Sequence, residues 1–207
     1  MPTPAPTDLE GRRHRKKRET RERLITAAAD LFAEAGFAET TTTDIAEAAD
    51  VAQRTLFRHF PTKESLLYGD MDDLRLALRN ALDSRPTDEP VLEVVRQAML
   101  SLADDHQRNA RRRLLQARLA ASVPSVSAYS RAVVQASWEG EIIRSVADRL
   151  DVDPIADPRP EIIAGAAMSA LRVAIRQWTA DRGRGDFVEL ADHTLRAIAE
   201  LPSTAAD

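Results

Sequence analysis

Residues 40–63 constrain the fold of this chain more than any other stretch, because they fit two short helices joined by a tight turn. Ile45 and Ala49 lie four residues apart, which places both on one face of a helix. Thr41 or Thr42 is the expected N-cap, since a threonine hydroxyl accepts a hydrogen bond from an unpaired N–H of the first turn. This pattern predicts a short amphipathic helix.

A second short helix follows at once, over residues 53–60. Asp50 and the residue after it form the corner, and Leu56 faces the core. Pro61 ends this helix, because proline cannot continue the hydrogen-bond ladder, and Thr62 caps the next helix. Two helices that cross at a short turn, the second with polar side chains along one face, form a helix-turn-helix. That motif places its second helix in the major groove of DNA.

The composition indicates an all-α protein, since glycines number only seven among 207 residues and Ala, Leu, Arg and Glu are abundant. Apolar residues recur at helical spacing, and no internal repeat is present. The predicted helices outside the motif cover residues 19–35, 62–82, 90–105, 111–121, 125–150, 161–181 and 187–201. We predict a disordered basic arm (1–18), an N-terminal three-helix helix-turn-helix DNA-binding domain (19–65) and a larger helical domain (66–203).

The net charge of −4 conceals an uneven distribution of charge. Residues 1–63 carry a net charge of +1, whereas residues 64–207 carry −5. Residues 11–23 alone hold eight basic side chains and two acidic ones. Beside a helix-turn-helix, such an arm suits contact with the phosphates of DNA, although a solvated charged tail is the other interpretation.

Composition also limits the location of the protein. The chain has no cysteine, which excludes disulfides, thiolate metal sites and a cysteine nucleophile. No run of about 18 apolar residues exists, and residues 1–10 lack the apolar stretch of a signal peptide. We therefore expect a cytoplasmic protein without a membrane partner.

An enzyme is a rival hypothesis from another functional class. Residues 104–106 (Asp-Asp-His) are the one cluster of carboxylates and histidine, but they lie at a predicted helix end, where such residues usually meet solvent. No glycine-rich phosphate loop is present, and His59 lacks neighbours that could complete a metal site. We predict no enzyme activity, no catalytic residues, no cofactor and no bound metal.

The start of the second helix carries side chains suited to base recognition. Arg54 suits guanine O6 and N7, Gln53 suits adenine, and the methyl group of Thr55 suits thymine. Thr42 and Thr43 open the first helix, where their hydroxyls suit phosphate. The sequence therefore predicts a double-stranded DNA partner.

The same stretch resembles the TetR-type transcriptional regulators. The matching residues are Thr40-Thr41-Thr42, Ile45-Ala46, Ala49-Asp50-Val51, Thr55-Leu56-Phe57, His59-Phe60 and Lys63-Glu64. The chain departs from the family pattern at Asp50 (usually Gly), Ala52 (usually Ser) and Phe57 (often Tyr). The first change is mild, because Asp tolerates a left-handed backbone better than most residues.

This resemblance implies base contacts at the same three positions and phosphate contacts from His59 and Lys63. Arg58 faces outward and extends the surface, unless it is only a solvated side chain. The predicted DNA-binding residues are Thr42, Thr43, Gln53, Arg54, Thr55, Phe57, Arg58, His59 and Lys63.

The last two predicted helices are unusually apolar for helices at a chain end. We predict that they form a two-fold four-helix bundle between subunits, a homodimer, unless both faces are simply core within one subunit. The resemblance favours the dimer, since TetR-type proteins usually dimerise through these helices. The predicted dimer residues are Ile163, Ala167, Ala170, Leu171, Ala174, Trp178, Leu190, Thr194, Leu195 and Ile198. A dimer predicts a pseudo-palindromic operator.

The larger domain also resembles the C-terminal domain of mycofactocin-type TetR regulators, over residues 112–150 and 164–178. That resemblance implies a small apolar effector such as an acyl-CoA. The predicted lining residues are Leu102, Leu115, Leu119, Tyr129, Val134, Trp138 and Met168, each of which ordinary core packing would also explain. Three consecutive arginines, residues 111–113, would face a CoA phosphate or solvent.

These observations together predict a ligand-responsive DNA-binding transcriptional regulator, a repressor that the effector releases from its operator. Release would follow from a shift of the predicted helix 62–82, which links both domains. The alternative is a ligand-independent dimeric DNA-binding protein whose C-terminal domain only dimerises.

Overall fold

The computed structural model describes residues 6–200, with the side chains of Arg12 and of residues 15–200. The helices are α1 Pro6–Glu34, α2 Thr42–Ala48, α3 Gln53–His59, α4 Lys63–Leu67, α5 Met71–Asp83, α6 Val91–Arg108, α7 Ala110–Ser122, α8 Pro124–Tyr129, α9 Ala136–Leu150, α10 Arg159–Ala180 and α11 Phe187–Glu200. A π-helical segment, Ser130–Gln135, joins α8 to α9. Because this range contains helices and no strand, the predicted all-α class is confirmed.

The chain divides into two compact units, Met1–Asp70 and Met71–Asp207. Helices α1 to α4 belong to the first unit, and α5 to α11 belong to the second. The division falls five residues after the end of the predicted DNA-binding domain at residue 65. Within residues 6–200, none of the helices combines the length and apolarity that crossing a membrane requires.

Helix α1 begins much earlier than the sequence predicted, at Pro6 and not near Glu19. The basic stretch consists of good helix formers, and Arg15 and Arg18 each lie near a glutamate one turn later, at 3.9 and 3.6 Å. The predicted disordered arm is therefore helical from Pro6 onward, while residues 1–5 lie outside the described residues. Arg15 and Arg18 therefore lie on the surface of α1 and not in a disordered arm.

The first unit has a small apolar core that orients its short helices. The fully buried side chains are Leu24, Ala28, Phe32, Ile45, Leu56, Phe60 and Leu66. Gly36 adopts φ +92° just after α1, the left-handed conformation with which glycine commonly ends a helix. The chain then turns so that the Phe37 ring packs on Phe32, with ring centroids 4.9 Å apart.

The predicted continuous helix over 62–82 is wrong, because α4 ends at Leu67 and α5 begins at Met71. Gly69 lies between them, where a Cβ atom would come within 2.5 Å of Ile25 Cγ1. Arg21 of α1 also donates a hydrogen bond to the Gly69 carbonyl at 2.6 Å. This turn packs too closely on α1 to remain helical.

The second unit packs α5, α6, α9, α10 and α11 around one continuous core. Trp178 lies against Phe187 with ring centroids 5.2 Å apart, and the His106 ring stacks on Phe187 with centroids 4.8 Å apart. Glu141 is buried on α9, and hydrogen bonds from Arg79 keep its pKa below the usual value. The core thus includes both tryptophans of the chain.

Candidate nucleic-acid interface

Helix α2 begins with a reciprocal cap. Thr41 Oγ1 accepts from the Asp44 N–H at 3.1 Å, and the Thr41 N–H donates to the Asp44 carboxylate at 2.8 Å. These hydrogen bonds from Thr41 lower the pKa of Asp44. The cap confirms the predicted start of the helix and leaves Thr42 and Thr43 in its first turn.

The corner between α2 and α3 depends on a left-handed residue. Asp50 adopts φ +52°, at the position where the resemblance expects glycine. The Val51 N–H donates to the Ala46 carbonyl at 2.9 Å, which closes the turn. The chain then enters α3 without a side-chain cap, because Ala52 has no hydroxyl.

Helix α3 has one buried face and one exposed face. Leu56 is fully buried, and Phe60 closes the core at the end of the helix. Arg54 and Arg58 are exposed on the other face, and 47% of the Phe57 surface is accessible. Arginine guanidinium groups can bond guanine and a phenylalanine ring can touch a thymine methyl, so this exposed face has groups suited to a major groove.

Gln53 connects α3 to α2. Its Nε2 donates to Thr43 Oγ1 at 3.1 Å and to Thr42 Oγ1 at 3.4 Å. The structure therefore brings together three of the predicted DNA-binding residues, from positions ten and eleven apart in the chain. Thr55, two residues after Gln53 in α3, is half-buried.

His59 lies where basic groups of two helices converge. Partial burial lowers its pKa, and the positive charges of Arg58, Lys17 and Arg21 lower it further. The imidazole is therefore mostly neutral at pH 7 in the free protein. Sequence reasoning placed Lys17 only in a basic cluster and did not consider Arg21, although their spacing of four residues puts both on one face of α1.

Lys63, a predicted phosphate contact, also forms hydrogen bonds within the protein. Its ammonium donates to the carbonyls of Phe37 at 2.6 Å, Thr40 at 3.0 Å and Ala38 at 3.4 Å. Since an ammonium has three N–H donors, all three are engaged within the protein. Lys63 stabilises the turn between α1 and α2.

The family described as bacterial regulatory proteins, tetR family, matches residues 24–68, and the MftR C-terminal domain matches residues 89–201. The chain belongs to the TetR family. Both resemblances predicted from the sequence are thereby confirmed.

Individual TetR-family relatives match most of the chain. TcmR, an HTH-type transcriptional regulator of Streptomyces glaucescens, is 34% identical over 175 residues, covering 81% of this chain and 76% of TcmR. MftR of Mycobacterium tuberculosis is 27% identical, covering 83% of this chain and 86% of MftR. The crystal structure of Thermus thermophilus FadR with lauroyl-CoA is similar at a TM-score of 0.54 and 27% identity, covering 87% of this chain and 93% of FadR.

Most residues predicted to form the TetR-family dimer face are buried inside the subunit itself. The buried ones are Ala167, Ala170, Leu171, Ala174, Trp178 and Leu195, and the half-buried ones are Ile163, Leu190, Thr194 and Ile198. The reason is that α10 packs on α9 as well as on α11, so its wide apolar arc is largely covered within one chain. The outward face of α10 instead contains Ile162, whose surface is 64% accessible.

The predicted ligand residues lie in two kinds of surroundings. Leu102, Trp138 and Met168 are part of the core, and Val134 packs against it. Leu115, Leu119 and Tyr129 are half-buried and lie outside that core cluster. A groove of about 250 Å³ lies elsewhere, between α6, α10 and α11, and its lining includes Leu92, Arg96, Ile163, Leu195 and Ile198.

Both tryptophans of the second unit have a buried indole N–H without a hydrogen-bond partner among the residues that the structure describes. Trp138 is only 5% accessible and lies on α9 three residues after the π-helical segment. A buried donor without an acceptor is unfavourable and therefore rare in folded proteins. The buried Trp138 N–H is therefore an unusual feature of this core.

The polar residues near the end of α6 form ion pairs. Arg113 is buried and donates to Asp105 at 2.6 Å, so the interpretation of residues 111–113 as a solvated face is wrong for Arg113. Asp104 pairs with Arg108 at 2.7 Å, and His106 packs on Phe187. Over the described residues, His, Asp and Glu side chains nowhere gather in threes suited to a metal ion.

Proposed function

We propose that this TetR-family protein is a transcriptional repressor that binds a pseudo-palindromic operator and is released by an apolar effector. The observation that carries the DNA-binding part is the exposed start of α3, where Arg54 is exposed and Gln53 donates to the threonine hydroxyls of α2. Arg54 would bind a guanine, and the threonines would bind phosphate. His59 and Arg58 extend this surface.

The same proposal includes a homodimer, because a two-fold symmetric protein matches a two-fold symmetric operator. We place the dimer face on the outward side of α10 and α11, with Ile162 on α10 and the half-buried Leu190 and Thr194 on α11. The exposure of Ile162 supports this choice, since covering a large aliphatic side chain with a partner removes apolar surface from water and stabilises the dimer.

The proposed effector is a fatty acyl-CoA or a related acyl compound. The relative from Thermus thermophilus, 27% identical to this chain, was crystallised with lauroyl-CoA. In this chain the Trp138 indole N–H would donate to the acyl carbonyl oxygen, while Leu102, Val134 and Met168 would contact the acyl chain. The π-helical segment before Trp138 supports this location, because π-helical turns break the regular ladder and recur at functional sites.

The burial of Leu102, Trp138 and Met168 in one core favours the alternative, a dimeric DNA-binding protein that has no effector. One experiment separates the two. Purified protein selects duplexes from a random DNA pool, and lauroyl-CoA is then titrated into the complex with the selected site. An enriched inverted repeat that lauroyl-CoA releases supports the proposal. An inverted repeat that lauroyl-CoA and other acyl-CoAs leave bound supports the alternative, and no enrichment contradicts both.

A further inference from the structure

The two hydrogen bonds from Gln53 to α2 determine what this side chain presents to DNA. A glutamine amide has two N–H donors and one carbonyl oxygen. Here the amide nitrogen lies within hydrogen-bond distance of Thr43 Oγ1, at 3.1 Å, and of Thr42 Oγ1, at 3.4 Å, so the N–H side of the amide is directed to α2. The Oε1 atom is then the polar atom of Gln53 that faces away from the protein.

We infer that Thr43, helped by Thr42, positions Gln53 so that it recognises a base through its carbonyl oxygen alone. This inference rests on the proposed DNA-binding function. In the major groove, adenine presents a donor at N6 and cytosine presents one at N4, whereas guanine and thymine present acceptors at O6, N7 and O4. An acceptor at Gln53 therefore selects adenine or cytosine and disfavours guanine and thymine.

This recognition differs from the usual pairing of glutamine with adenine. That pairing is bidentate, and it needs an amide donor for adenine N7 as well as an acceptor for N6. Because both donors of Gln53 are engaged by threonines, the N7 bond is not formed, and adenine loses its advantage over cytosine. Gln53 is therefore expected to accept either amino base.

The same arrangement couples the phosphate contacts to the base contact. Each threonine oxygen that accepts from Gln53 still has its own O–H, which can donate to a phosphate oxygen. Hydrogen bonds in such a chain strengthen one another. Contact between Thr43 and a phosphate would hold the Gln53 amide more firmly with its carbonyl oxygen toward the base. The protein would therefore recognise the base only when α2 contacts the DNA backbone.

The test compares duplexes selected from a random pool by the wild-type protein and by variants. Gln53→Ala first identifies the base pair that Gln53 contacts, as the position whose preference disappears. At that position the wild-type protein should prefer adenine and cytosine over guanine and thymine by about tenfold. Thr43→Val keeps the shape of the side chain but removes the acceptor, which frees the amide to rotate.

In Thr43→Val, the preference for adenine and cytosine at this position should fall to less than about threefold. The preference at the base pair that Arg54 contacts should stay the same. Thr42→Val, which removes the longer contact, should have a smaller effect. Gln53→Glu presents only acceptors and should keep the preference for adenine and cytosine, with weaker overall binding because of its charge. Gln53→Glu also tests the inference if the Thr43→Val protein fails to fold.

A wild-type preference for guanine or thymine, an unchanged preference in Thr43→Val, or a Gln53→Glu protein that selects guanine or thymine would each overturn the inference. Failure of the proposed function is distinguishable, because then the wild-type protein would enrich no inverted repeat at any position, and the inference would fall with it.

Discussion

The Lys63 ammonium lies 4.6 Å from the centroid of the Phe37 ring and donates a 2.6 Å hydrogen bond to the Phe37 carbonyl. This pair joins the first residue of α4 to the turn that follows α1. Phe37 in turn packs on Phe32 inside the core of the first unit. Lys63 therefore affects the position of α2 and α3 through the fold, and its ammonium is already hydrogen-bonded within the protein.

Replacing Lys63 by methionine should destabilise the first unit by about 2 kcal/mol, since the change removes three hydrogen bonds from a charged donor but keeps an apolar stem. Urea unfolding measures this change. Operator affinity of the folded protein should change little. Arg54→Ala is the matched control: it should leave the free energy of unfolding within about 0.5 kcal/mol and abolish selection of one base pair. A stable Lys63→Met protein with strongly weakened DNA binding would contradict this assignment.

Operator binding should tighten as the pH falls from about 7.5 toward 5.5. Burial and the charges of Arg58, Lys17 and Arg21 keep the pKa of His59 below its ordinary value of 6.5 in the free protein. A nearby phosphate raises that pKa, so the complex binds more protons than the free protein, and lower pH favours the complex. Titrations by fluorescence anisotropy at constant salt measure the effect. His59→Gln should flatten the curve, and an unchanged slope in this variant would show that another group titrates.

Asp50→Gly should raise the free energy of unfolding by roughly 0.5–1 kcal/mol. At φ +52° the aspartate has a left-handed backbone that glycine adopts without steric cost, although glycine also gains more freedom in the unfolded chain. Asp151 provides a matched control, since it has the same φ in the other unit, just after α9. Both variants should gain stability in thermal unfolding. Loss of stability in Asp50→Gly alone would mean that its carboxylate has a role at the corner.

Local signals explain why much of the first unit could be predicted from sequence. The Thr41 cap, the left-handed Gly36 and the interruption at Pro61 act within a few residues of their own positions. The break before α5 could not be predicted in this way, because it depends on contact between Gly69 and Ile25, which are far apart in the chain. The role of Lys63 was missed for the same reason.

The dimer face shows a second limit of sequence reasoning. An apolar stripe indicates that a helix face is covered, but it does not say whether the covering surface belongs to the same chain. Ala174 and Trp178 were predicted to face a partner, and the structure buries both within the subunit. The wide apolar arc of α10 includes residues that pack within the subunit as well as residues that face outward. Only the packing of α9 and α11 against α10 shows which residues belong to which face.

Ile162→Glu should convert the proposed dimer into a monomer, because a carboxylate buried in an apolar contact would be desolvated without a partner. Sedimentation velocity measures the oligomeric state. Ile155→Glu is the matched control: this isoleucine is 95% accessible in the loop before α10 and should tolerate the charge without dissociation. The subunit itself should stay folded in both variants, since neither isoleucine is buried within it. If the Ile162→Glu protein remains a dimer, the dimer interface does not include Ile162.

Trp138→Phe should weaken lauroyl-CoA binding about tenfold and leave the stability of the free protein within about 1 kcal/mol. Phenylalanine retains most of the ring but removes an N–H that has no acceptor among the described residues, so the free protein loses no hydrogen bond. With an acyl carbonyl bound, the same change would remove one. Trp178→Phe is the matched control, because its indole N–H is also buried and unpartnered, but on α10. It also leaves Trp138 as the single tryptophan, whose emission should shift when lauroyl-CoA is added. Equal affinities in the two variants, with no emission change, would show that the acyl compound does not reach Trp138.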